Sequence, residues 1–283
     1  MIASLSKETS FDLEGKLVNI FQRTSVAIMQ GELDEAQQLF QQFCEERTST
    51  SNVNIFSLDA IYLQLVLYRF QENFQDSLEV ADEGLREMEL VEPCLTTAWL
   101  LSEIGATYWN HACSISSVDP LLAKSEFEKA KQSLERSIEQ ARNLPSVEAS
   151  CDIQGKVWSM LAMVGLESPL NGCSLKGSPI ISKKQIDNVE KHLAGAEKLS
   201  VECTPLNYNR CLRYLVECNV NYQQSRIAPD QSPNFLKKAT EDAKSAKKVA
   251  KVNQFKELHR HASHLLKELN AMQQLGRGSI RNC

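Results

Sequence analysis

Helix breakers are scarce in this chain, with eleven glycines and eight prolines in 283 residues. Leu, Ala, Glu, Gln and Lys fill the long stretches between them, which favours helix over sheet. Nothing approaches the ~20 apolar residues needed to span a bilayer. The best run, Ile61 to Tyr68, is interrupted by Gln64 and followed at once by Arg69, so no membrane insertion is expected. Asn-x-Ser/Thr acceptors and C-x-x-C pairs are both missing, and the nine cysteines are odd in number, many of them on apolar helical positions. The opening MIASLSKETSF has no charged segment leading into an apolar one. Buried free thiols in a cytoplasmic or nuclear protein are therefore expected. No Gly-rich phosphate loop, G-x-S-x-G elbow or H-E-x-x-H helix is present, so no enzyme class is indicated and no cofactor is expected. A net charge of -5 argues against nonspecific attraction of the whole body to nucleic acid or anionic lipid, though a local basic face remains open to either.

What the chain does have is helical periodicity in pairs. Trp99 to Arg142 reads as two helices and a turn around Asp119 and Pro120, with Leu101, Ile104, Gly105 and Tyr108 on the first and Phe127, Ala130 and Leu134 on the second. Gly105 and Ala130 are small enough to let two backbones approach to roughly 8 Å, the near end of interhelical distances. The same organisation precedes it as Phe11 to Met29 (N-cap Ser10, closed by Gly31) with Leu33 to Arg47, then as Phe56 to Phe70 with Phe74 to Glu89. It follows as Val147 to Leu166 with Ile186 to Leu199 across a Pro/Gly/Ser-rich loop, Glu167 to Lys184, and as Leu206 to Gln224 with Asn234 to Lys251. A helix from Gln254 to Leu275 covers the last pair, and the tail from residue 276 reads as frayed. The expected fold is all-α: a solenoid of about five antiparallel hairpins plus a C-terminal capping helix, in a single domain over residues 1–283.

The seam residues resemble the tetratricopeptide repeat, a helix pair of roughly 34 residues. Leu101, Ile104, Gly105 and Tyr108 are similar to its first half, and Gly31, Leu33, Ala36 and Phe40, like Phe127, Ala130 and Leu134, to its second. Here the units are longer and the turns uneven, so the array is TPR-like and irregular. The resemblance implies a non-enzymatic scaffold that grips a partner peptide or helix in a groove lined by the first helix of each pair. On that register Tyr62, Arg69, Trp99, Ser102, Trp109 and Asn110 face the groove, with Tyr62, Trp99 and Trp109 as anchors. The paired Lys and Asn residues with which chaperone-binding members clamp a terminal carboxylate have no equivalent at these places. The Tyr108-Trp109-Asn110 helix and the Phe127/Ala130 helix also give a short match to the meiotic crossover scaffolds, which implies a nucleic-acid-associated alternative.

Three further groups carry chemistry in principle. His261 and His264 share a helical face beside His259, but no third ligand follows by spacing, so no metal is expected. Cys211 and Cys218 lie two turns apart and read as apolar packing. Lys237, Lys244, Lys248 and Lys251 align along one helix side, with Lys238 and Lys247 alongside and Glu241 and Asp242 interrupting. A solvated face is the plain reading, and an acidic peptide or nucleic-acid backbone the alternative. Ser168, Ser178 and Ser232 precede prolines and are candidate phosphate acceptors.

Overall fold

A computed structural model describes residues 2–48, 53–167, 175, 181–202 and 207–280, and the side chains of 13–48, 56–167, 175, 181–199 and 207–274. Among the described residues there is no strand. Eleven α-helices follow one another: α1 (Ile2–Gln30), α2 (Leu33–Arg47), α3 (Val53–Phe70), α4 (Phe74–Met88), α5 (Leu95–Ile115), α6 (Pro120–Arg142), α7 (Val147–Gly165), α8 (Lys183–Glu202), α9 (Asn207–Ile227), α10 (Ser232–Val252) and α11 (Lys256–Ile280), with a 3-10 turn at Pro229–Gln231. They pack in neighbouring pairs, α1 on α2 through α9 on α10, and α11 on α10. Each even-numbered helix up to α8 also touches the next odd one, and α1, α3, α5, α7 and α9 touch in that order.

Local chemistry sets the helix ends. Asp119 caps α6, its Oδ1 accepting from the Leu122 N–H at 2.9 Å, and Pro120 begins the helix where no amide donor is needed. Ser146 does the same for α7, accepting from the Ala149 N–H at 3.2 Å. Three of the turns share one geometry. A residue in the left-handed region, Gly31 (φ 74), Glu72 (φ 59) or Gln254 (φ 58), follows the last helical turn. The next amide then reaches back five residues: Glu32 to the Ala27 carbonyl, Asn73 to Tyr68 and Phe255 to Ala250, each at 2.9 Å. This Schellman closure satisfies carbonyls that a helix end otherwise leaves open, and it turns α1 into α2, α3 into α4 and α10 into α11 alike.

The seams are built from small residues. A Cβ on Gly105 would stand 2.6 Å from Leu134 Cγ and 3.1 Å from the Ala130 carbonyl oxygen, so α5 and α6 approach as closely as their sequence permits. Ala130, Leu134, Ala141 and, on α10, Ala239, Ala243, Ala246 and Ala250 are buried with them. A smaller apolar core joins α1, α2 and α3 through Leu17, Ile28, Leu39 and Phe43, and a larger one runs from α3 onward. Tyr62 packs against both. Cys211 and Cys218 are fully buried, and burial pushes the Cys211 thiol up to about 12.

Several expected boundaries shift. Ser10 lies inside α1 and does not cap it, because a serine costs a helix interior only about half a kcal/mol relative to alanine and the turn before it continues. The third pair begins at Leu95, four residues ahead of Trp99. The tail is helical through Ile280, since extending an existing helix needs no new nucleus. Most of the Glu167–Lys184 loop, including Ser168 and Ser178, falls outside the described residues. Leu175 within it is buried, its N–H donating to Glu268 Oε2 of α11 at 2.7 Å, and helix resumes at Lys183. Ser232 is the first residue of α10.

These contacts give opposite expectations for two substitutions. Glu72→Gly relieves an exposed left-handed residue and should stabilise the fold by about 0.5–1 kcal/mol. Gly105→Ala should destabilise it by about 1–3 kcal/mol, because Leu134 and the α6 backbone must retreat. Urea unfolding midpoints of the two variants, one above and one below the parent, check both.

Candidate binding cleft

Spacings of three and four residues place Asp59, Tyr62, Val66 and Arg69 along one side of α3, and Thr96, Trp99 and Glu103 along one side of α5. Together with Val18 and Phe21 of α1, Lys156 of α7 and Tyr208 and Asn209 of α9, they line a cleft of about 460 Å³. Among the described residues every one that lines it belongs to an odd-numbered helix. The walls are mostly aliphatic and aromatic, and the rim exposes Val18 and Leu95. Phe21 and Tyr62 face each other with ring centroids 5.6 Å apart, fixing α1 against α3.

Charge is concentrated at one end. Glu103 pairs with Arg69 through one oxygen and with Lys156 through the other, and the three side chains are only 3, 9 and 7 % exposed in that order. Burial alone would raise Glu103; the Lys156 and Arg69 cations more than offset it and hold the carboxyl below its usual range. For Lys156 burial depresses the ammonium while Glu103 pulls the other way. Lys156 also reaches the Ser102 hydroxyl at 3.4 Å and stands 4.9 Å from the centre of the Trp99 ring. Arg69 lies over Phe70, 5.2 Å from its centroid, and among the described residues its buried Nε has no hydrogen-bond partner. Asp59 accepts from the Thr96 hydroxyl at 3.1 Å, and burial lifts its carboxyl to about 6 in spite of that bond. Tyr208 is raised to about 12 and Tyr62 further still, both by burial first.

Of the residues expected in a groove, Tyr62, Arg69 and Trp99 line the cleft. Ser102 is buried behind it, donating to the Trp99 carbonyl at 2.7 Å. Trp109 is fully buried and cannot anchor a partner: α5 packs on α3, α4, α6 and α7 at once, and the stretch from Leu100 to Trp109 is enclosed among them. Asn110 does not line the cleft either, and spends its amide on the Ala106 carbonyl at 2.8 Å. Asp59, Glu103, Lys156 and Tyr208 were not expected. Glu103 follows Trp99 by one helical turn, and Lys156 is a lone cation in the apolar run of α7, a signal that a buried partner must exist.

The other groups lie apart. Lys237, Lys244, Lys248 and Lys251 are all exposed on α10, and among the described residues none is engaged by a carboxylate. His264 stands 3.7 Å from Glu268, whereas His261 is buried with neither ring nitrogen bonded among the described residues, and burial lowers it to about 4. Among the described residues no three His, Cys, Asp or Glu side chains are grouped to hold a metal. Nor is any helix there long and apolar enough to cross a membrane.

No family model and no curated protein matches this chain.

Asp59 carries a pH signature. Its carboxyl is raised from the unfolded value near ~4 to about 6, so its ionised form is penalised in the folded state. Below both values the penalty is absent; it grows as pH climbs through the interval and is complete above 6. Asp59→Asn keeps an acceptor for Thr96 and removes the charge. It should stabilise the fold by about 2–3 kcal/mol at neutral pH, with the gain vanishing below roughly pH 4, as read from urea melts across that range.

Proposed function

We propose that this chain is a TPR-like helical-repeat scaffold, non-enzymatic, that receives a segment of a partner protein in the cleft between α1, α3, α5, α7 and α9. The observation that carries the reading is the origin of the lining: every residue facing the cleft comes from the first helix of a pair. Sequential contact between those first helices, and α11 packed on α10 as a cap, are what a stacked array of hairpins requires. The recurring Schellman turn adds a structural repeat where the sequence repeat is faint. Apolar walls with aromatic rings and a few converging polar groups suit recognition of side chains. The ionisable groups speak against acid–base work, since Glu103 is tied to two cations and Asp59 to Thr96.

The test changes the rim, where folding is least at risk. Val18 and Leu95 are 48 and 44 % exposed, so Val18→Glu with Leu95→Glu should leave thermal stability within about 1 kcal/mol of the parent. Proteins retained from cells by the tagged parent chain should fall about tenfold or more on the double variant, by quantitative mass spectrometry. An unchanged set, or no specifically retained protein, rejects the cleft as the binding surface.

A second reading, association with nucleic acid, is favoured by the unpaired lysines of α10. Lys237 to Lys251 spans about 21 Å of helix, room for several phosphate contacts. If these four lysines bind the backbone, affinity for a DNA duplex should fall with salt at a logarithmic slope of about -3.6. Lys244→Glu with Lys248→Glu should then make the slope shallower by about 2. Absence of binding at low salt retires this reading and leaves the lysines as a solvated face.

A further inference from the structure

We infer that the cleft selects a partner segment carrying one internal acidic residue among apolar ones, its carboxylate received between Arg69 and Lys156. This rests on the reading of the cleft as a groove for a protein segment and adds the chemistry of what fits there.

Two cations converge on one carboxylate in a place water hardly reaches, since Arg69, Lys156 and Glu103 are all nine-tenths or more buried. The cluster therefore holds one positive charge in surplus. Burying an unmatched charge is costly, and an anion seated beside it recovers that cost most effectively where water is excluded. Arg69 makes the site specific: among the described residues its buried Nε–H has no acceptor, and the side chain lines the cleft. A guanidinium presents donors in a planar fork, so an oxygen that reaches Nε gains a charge-assisted bond. The rings of Trp99 and Phe70 contact the two cations and supply only their quadrupoles, which do not neutralise charge.

The remaining walls determine what surrounds that carboxylate. Val18, Phe21, Val66 and Leu95 offer apolar contact, which excludes a densely charged occupant such as a polyacidic stretch or a nucleic-acid backbone. Asp59 is the countervailing group, a second carboxylate in the same cleft. Thr96 holds it, and among the described residues it pairs with neither cation of the cluster. Asp59 thus repels an acidic guest weakly and leaves the surplus at Arg69 and Lys156 in place.

The test uses the full chain and a phage library of random peptides fused at their C-termini, so that no terminal carboxylate is free to bind. Enriched peptides are resynthesised with amidated ends and titrated by fluorescence anisotropy. The expected sequences place one Asp or Glu between aliphatic or aromatic residues. Changing that residue to Asn or Gln should weaken binding about tenfold or more. Asp59→Asn should tighten the acidic peptide about threefold and leave its amide counterpart unmoved. Val18→Glu with Leu95→Glu should abolish both. Peptides lost on the rim variant but indifferent to replacement of the acid overturn this inference and spare the groove. Peptides indifferent to the rim variant, or no enrichment at all, overturn the groove and this inference with it.

Discussion

A carboxylate without water must find its counter-charge in the protein, and Glu103 finds two, on the helices either side of its own. Arg69 comes from α3 and Lys156 from α7, so one buried ion cluster ties three odd-numbered helices together at a defined depth. Removing Glu103 leaves two uncompensated cations in low dielectric, a loss of about 3–5 kcal/mol, whereas apolar replacements of all three would be tolerated far better. The cluster is therefore weak evidence of stabilisation and stronger evidence of placement. It sets the floor of the cleft, and Trp99 and Tyr62 are held above it on the same two helices.

The opposite side of α5 works by a different force. There the helix meets α6 through Gly105, Ala130 and Leu134, where only the lack of a Cβ allows the approach. Dispersion falls off steeply with distance, so contact this close commits α5 to one position on α6. Ser137 adds direction, donating to the Ala98 carbonyl across the same seam at 2.7 Å. One helix is thus fixed by apolar packing behind and ion pairing in front. Its aromatic Trp99 can present a rigid face to the cleft without being free to swing.

The helix pairs were legible because their apolar periodicity is strong and their punctuation chemical: Gly31, Asp119 with Pro120, and Pro145 all fall at turns. The Gly105 seam was legible too, since glycine inside an apolar helix needs a packing reason. The facing direction of α5 was not. From Thr97 to Trp109 every residue except Trp99 is buried, so periodicity barely distinguishes the side toward the cleft from the side toward α6. Trp109 was placed in the groove on a repeat register that this nearly encircled helix does not reveal. Glu103 and Lys156 are fifty-three positions apart and meet only through the α5–α7 contact, a pairing no local pattern encodes. The left-handed Glu72 and Gln254 escaped notice for a simpler reason: neither residue type announces that backbone.

The wall contributed by α1 is held differently from the others. It belongs to the smaller core, joined to the larger through Tyr62, and where it meets α11 the contacts include the Glu32–Lys256 pair and the approach of Gly31 to the Lys256 side chain. Both charges of that pair are about half exposed, so the pair is worth a few tenths to 1 kcal/mol and weakens with salt. Charge favours the contact on a larger scale: residues 232–283 hold eleven basic and four acidic side chains, while 1–231 hold twenty and thirty-two. Long-range attraction of this kind is screened in solution and cannot rigidify a joint. The position of α1 is therefore decided by apolar packing, in which the rings of Phe21, Phe43 and Tyr62 meet one another across α1, α2 and α3.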